Sequence, residues 1–162
     1  MSYAIDLGVD CSTSEQVADQ IVEHFDGFRI LLPADREVEC AVTGKAQRLN
    51  HWFVGVIPKG MGYGVPDCRP ELVEPMNYEA IKSALYGHLS LVSGYRRAWF
   101  ASEAFDSFTS PTPEELAWID YPEMIFASRA FPSIPTGTRV VQFSPGYLRV
   151  TEIHHSCEST IA

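Results

Sequence analysis

Four groups of residues in this 162-residue chain have types that chemistry uses. Lys59-Gly60-Met61-Gly62-Tyr63-Gly64 follows an apolar run, as a phosphate-wrapping loop would. Its spacing matches neither GxxxxGK followed by Ser or Thr nor GxGxxG, and Pro66 and Pro70 leave no helix N-terminus behind it to receive an anion. A turn that needs positive φ accounts for the glycines. His154-His155-Ser156-Cys157 offers three metal-ligating side chains. Adjacent histidines on a strand point to opposite faces, so at most one can join Cys157 in a local site. Cys68 is a nucleophile candidate in the long loop beyond His51, but it needs an imidazole from His24, His51 or His88 beside it. No family signature surrounds it.

Paired carboxylates for hydrolysis could be drawn from Glu103, Asp106, Glu114 and Glu115. Glu114 and Glu115 fall in the first turn of a short helix, where the dipole favours acids without any catalysis. Hydrolysis also depends on a carboxylate separation that linear spacing does not fix. No catalytic set, cofactor or metal site is therefore assigned.

Charge is the stronger signal. The net charge of −9 argues against a nucleic-acid partner, whose phosphates call for a basic footprint. Residues 1–28 carry six acids and no base, and residues 98–128 carry another six and no base. The nine remaining acids against twelve bases leave the rest of the chain at +3. Within the first window, Glu15, Asp19, Glu23 and Asp26 fall inside an arc of about 80° on a helix. Like charges at i,i+4 disfavour a helix by roughly 0.2–0.5 kcal/mol per pair. Such a stripe fits a basic partner. Glu103, Asp106 and Asp120 make a second patch in the other window.

The elements that must position these groups follow from pattern. Ser12-Thr13-Ser14-Glu15 reads as a capping box with Ser12 at the N-cap, opening a helix over 13–26 whose apolar face is Val17, Ala18, Ile21, Val22 and Phe25. Strands are expected over 28–32, over 37–42 up to Gly44, and over 51–57, the last continuous enough to be a buried central strand. Residues 58–76, rich in proline and glycine, form a long connection. Asn77 caps a second helix, over 78–92, with His88 on its apolar face as a hydrogen-bonded core residue. Residues 95–100 make a strand that continues into Ala104-Phe105, and a short third helix covers 113–118. Strands over 124–127, 139–143 and 147–150 close the chain, the last two joined at Pro145-Gly146.

The pattern predicts an α+β domain over 1–162 with a mostly antiparallel sheet, two main helices and a tail over 151–162. No repeat or linker divides it. The cysteines at 11, 40, 68 and 157 lack framework spacing and read as free thiols. Nothing is apolar for long enough to span a membrane, and Met-Ser-Tyr-Ala-Ile-Asp has no signal-peptide character, so the expected location is the cytoplasm.

The run Gly94–Phe108, with its strand and acidic-aromatic segment, is followed by Met124–Phe131 and then Phe143–Leu148. This order, over residues 94–150, resembles small immunity proteins of bacterial polymorphic-toxin and contact-dependent-inhibition systems. The resemblance implies an antitoxin-like binder without chemistry of its own, and it carries no individual site residue. The expected function is an acidic binding module that neutralises a basic toxin or effector. The rivals are a small thiol or hydrolytic enzyme using the 58–76 loop and a homo-oligomeric interaction protein.

Overall fold

In the computed structural model, which describes residues 3–109, 123–130 and 137–153, the strands form one antiparallel sheet of nine. Its path begins with β2 (Arg29–Leu32), β3 (Arg36–Arg48), β4 (His51–Pro58) and β1 (Tyr3–Asp10). It continues with β6 (Arg97–Ser102), β7 (Ile125–Ala127), β9 (Tyr147–Ile153) and β8 (Thr138–Ser144). The short β5 (Gly62–Tyr63) pairs with the start of β1. The domain is α+β, as its pattern predicts.

The expected elements begin at residue 13, yet one of the most buried strands precedes them. β1 alternates Ile5, Leu7 and Val9 with Asp6, Gly8 and Asp10, a period-2 pattern for which no strand is expected above. Leu7 pairs with Val56 on β4 and with Phe100 on β6, so one apolar stripe crosses the sheet centre. That stripe receives α1 (Glu15–Phe25) through Ala18, Ile21 and Phe25, and α2 (Pro75–Leu89) through Ile81, Leu85 and Leu89. Tyr86 fastens α2 to the sheet, its hydroxyl donating to the Glu123 carbonyl and accepting from the Phe100 N–H.

The opposite face carries a smaller cluster of Phe53, Met124, Phe126 and Val150, with Trp99, Phe105 and Val140 against it. α3 (Ala104–Thr109) lies here, where Ala104-Phe105 is expected as strand. Asp6 explains the difference: its carboxylate accepts the N–H groups of Ala104 and Phe105, satisfying two orphan donors of a helix start. Phe105 then packs on Gly44 and Gly55, which face each other across β3 and β4. A Cβ on Gly55 would lie 2.8 Å from the Phe105 ring and 2.7 Å from Thr43 Oγ1. Gly44 therefore does not end β3. A register shift between Val42 and Gly44 absorbs it, and the strand runs on to Arg48.

Both helix starts differ from expectation. Ser12 has φ +56° and its N–H goes to Asp10 Oδ1, so the cap of α1 falls to Ser14, whose hydroxyl accepts from Val17 N–H. Glu15 is then the first helical residue and has no capping-box role. α2 begins earlier than Asn77, at Pro75, where proline fits the first turn. Asn77 is buried instead, donating to the Glu71 carbonyl and accepting from Arg36. α2 ends at Leu89 rather than Val92. The 58–76 connection holds β5 and a 3-10 turn over Pro70–Val73. β9 extends to Ile153, taking up the start of the expected tail. The expected helix over 113–118 lies outside the described residues, as do Asp120, Trp118 and the His154-His155-Cys157 group.

Candidate functional site

Ser14 fixes where α1 starts, and that start fixes which way its acids point. Glu15, Asp19, Glu23 and Asp26 are all exposed. Their environments split along the helix. Lys45 on β3 points to the face that carries α1, because it pairs with Val54 of the main core. Its ammonium reaches Glu15 at 2.9 Å and Asp19 at 2.5 Å and lies over the Trp52 ring, 4.8 Å from its centroid. The Asp19 hydrogen bond, then that of Glu15, holds the Lys45 ammonium above its ordinary pKa. The absence of any base before Arg29 thus does not leave the whole stripe unpaired: tertiary folding delivers one from 26 residues beyond Asp19. Glu23 and Asp26 receive none within ion-pair distance among the described residues.

Glu23 instead lines a shallow depression of about 430 Å³ with Gln20, His24, Leu91, Val92 and Ser93. The depression lies where the C-terminal ends of α1 and α2 meet. Leu91 stands 74% exposed beside it, among the least buried of the large apolar residues. Asp26 is the C-cap of α1, where the dipole does not favour an acid.

The second acidic patch is elsewhere. Glu103 and Asp106 are exposed at the start of α3, on the face of the sheet opposite α1. The two acid groups therefore do not build one surface.

A further charged cluster was not singled out by spacing. Asp10, fully buried at the end of β1, accepts from Ser12 N–H and from His51 Nδ1 at 3.0 Å on one oxygen. Its other oxygen faces Arg97 Nε at 3.2 Å and Arg96 Nη1 at 3.3 Å. Burial would raise this carboxyl, but the His51 hydrogen bond, the Arg97 charge and the Ser12 N–H outweigh it and hold the group below its ordinary range. Four residues earlier on the same face, Asp6 shows the reverse. Burial dominates there, its two backbone bonds do not offset it, and the carboxyl is pushed up to about 6. The available sequence signal for both was the alternation of β1; which acid would meet arginine was not readable.

Among the described residues no hydrogen bond joins a thiol to an imidazole. Cys68 donates to the Gly62 carbonyl at 3.0 Å. His51 is held by Asp10, and His24 and His88 bond to one another's backbone. Cys11 and Cys40 are buried free thiols, each pushed up to about 12 by desolvation. The glycine-bearing loop forms a cleft of about 530 Å³ with Lys59, Val65, Pro66 and Arg69 in its lining. Its cations are already engaged, Lys59 by Glu39 and Arg69 by Glu71. Among the described residues no group of three or more His, Cys, Asp or Glu side chains could hold a metal ion. None of the described helices is long and apolar enough to cross a membrane.

Comparison with protein-family models, with curated proteins and with solved structures gave no match. The strongest surface feature is the end of α1, where Glu23 shares a depression with exposed Leu91 and Asp26 stands at the C-cap.

Proposed function

We propose that this chain is an acidic protein-binding module, an immunity-type inhibitor acting in the bacterial cytoplasm on a basic toxin or effector. The observation that carries the reading is the end of α1, where Glu23 and Asp26 lack a base among the described residues and exposed Leu91 lines the same depression as Glu23. Acids of this kind steer a basic partner and raise its association rate. A projecting leucine in a depression supplies apolar area for the partner to bury, which charge alone does not. Glu15 and Asp19 contribute less to docking, because Lys45 already neutralises part of their field. Glu103 and Asp106 lie on the opposite face of the sheet and would meet a different part of the partner; Asp120, expected with them, lies outside the described residues.

The test is co-expression with the product of the adjacent gene in the native genome. Rescue of growth by the wild-type chain, lost in the Glu23→Lys/Asp26→Lys double variant, supports the proposal. A double variant that still rescues, with unchanged association rate and salt dependence, removes these residues from the interface. The homo-oligomer reading draws on Leu31, which is 70% exposed on the edge strand β2. Sedimentation over a range of concentrations separates self-association from binding to another protein.

A further inference from the structure

The helix ends that frame the Glu23 depression are joined by two histidines. His24 lies in the last turn of α1 and His88 in the last turn of α2. His24 Nε2 donates to the His88 carbonyl at 2.9 Å, and His88 Nε2 donates to the His24 carbonyl at 2.8 Å. A carbonyl only accepts, so both rings carry their hydrogen on Nε2. Each imidazole thereby caps the C-terminus of the other helix, where carbonyls lack intrahelical partners. The two rings stack at 3.8 Å and 11°, and Phe28 stacks on the far side of His88 at 3.8 Å and 4°. Phe25 meets both edge-on.

We propose that this reciprocal pair is a proton-sensitive latch on the docking face. It holds the ends of α1 and α2 together while at least one ring is neutral, and it opens when both are charged. Two imidazoliums at stacking distance, both only half-buried, repel each other. One proton is tolerated, since both helix C-termini attract positive charge. The charged neighbours are Glu23, which lines the same depression, and Asp26 at the C-cap of α1. Arg29, next along the chain from Phe28, is engaged by Glu37, and the last turn of α2 carries no other titratable group than His88 and Tyr86. In keeping with the geometry, burial lowers the His88 pKa first, and the neighbouring His24 charge lowers it further against the hydrogen bond. Opening would free residues 90–93, including Leu91, and so regulate the proposed binding surface. The inference rests on that surface only for its consequence, not for the latch itself.

The experiment follows the imidazole signals of the full chain by NMR across pH 7 to 4, together with amide exchange at Phe28, Leu91 and Val92, whose N–H groups bond to Phe25, His88 and Leu89. The latch predicts that the His88 imidazole titrates below the ordinary histidine range. Between the ordinary histidine pKa and the lowered folded one, the opening equilibrium read from exchange at Leu91 and Val92, corrected for intrinsic amide rates, rises by up to roughly tenfold per pH unit while the sheet stays folded. His88→Gln keeps a donor without the charge and should abolish this rise. Asp6→Asn removes a carboxyl that is pushed up into this window, to about 6, and should leave the rise intact. A His88 imidazole that titrates in the ordinary range, or an unchanged acid response in His88→Gln, would overturn the latch. Both outcomes are read without any partner, so they stand apart from the co-expression test.

Discussion

Lys45 on β3 holds Asp19 on α1 at 2.5 Å and Glu15 at 2.9 Å, and so divides one acidic stripe into a half that serves the fold and a half that faces outward. Lys45→Ala should lower thermal stability modestly and make it more salt-dependent, because four acids would then repel along one helix. Glu23→Lys/Asp26→Lys should leave stability unchanged or raised. Melting curves at low and high salt check this; equal effects from both would mean the division is not real.

Asp10 is buried among Arg96, Arg97 and His51, and removing it leaves those charges without their shared acceptor. Asp10→Ala should cost about 3–5 kcal/mol in denaturant unfolding. Because the folded carboxyl lies below its ordinary pKa, its contribution is present above about pH 4 and fades as pH falls through the folded value. Acid unfolding of wild type should therefore steepen below pH 4, and the variant should lack that step.

Asp6 has the opposite sign. Its carboxyl is pushed up to about 6, so the folded state binds the extra proton between about pH 4 and 6. Stability should fall as pH rises through that window. Asp6→Asn should flatten this limb while keeping an acceptor for the Ala104 and Phe105 N–H groups. Urea midpoints at pH 4.5 and 7 measure it; an unchanged slope would show that Asp6 ionises without cost.

Phe105 rests on Gly44 and Gly55 with no room for a side chain. Gly55→Ala should destabilise by about 1–3 kcal/mol through overpacking. Coupling to Phe105→Leu in a double-mutant cycle locates the cause, and additive effects would place it elsewhere.

Native alkylation should modify Cys68 and spare Cys11 and Cys40, whose thiols are buried and pushed up to about 12. Mass mapping after brief iodoacetamide treatment reads this directly. Labelling of Cys11 or Cys40 at the same rate would mean that their strands open readily.

Much of the architecture was legible in the chain. The apolar faces of α1 and α2, the continuous run of β4 and the turn at Gly146 are local patterns, set by the helix and strand periods and by turn stereochemistry. His88 is the hydrogen-bonded residue its position suggests, and Cys11, Cys40 and Cys68 are the free thiols that their spacing implies. Other features depend on partners distant in sequence. Ser12 has the right residue type for a cap, but Asp10 takes its N–H and Ser14 caps instead. Ala104-Phe105 becomes helix because Asp6, nearly a hundred residues earlier, accepts its N–H groups.

The acidic stripe shows the same boundary. Its residues and their helical spacing are properties of the sequence alone, since charge and the helix period are both local. Which acids remain unpaired was decided by the tertiary structure, because only the antiparallel pairing of β3 with β4 turns Lys45 toward α1. The same packing brings His24 and His88, 64 residues apart, into contact at the ends of two helices. Long-range electrostatics and stacking act between neighbours in space, and those neighbours exist only once the sheet has formed.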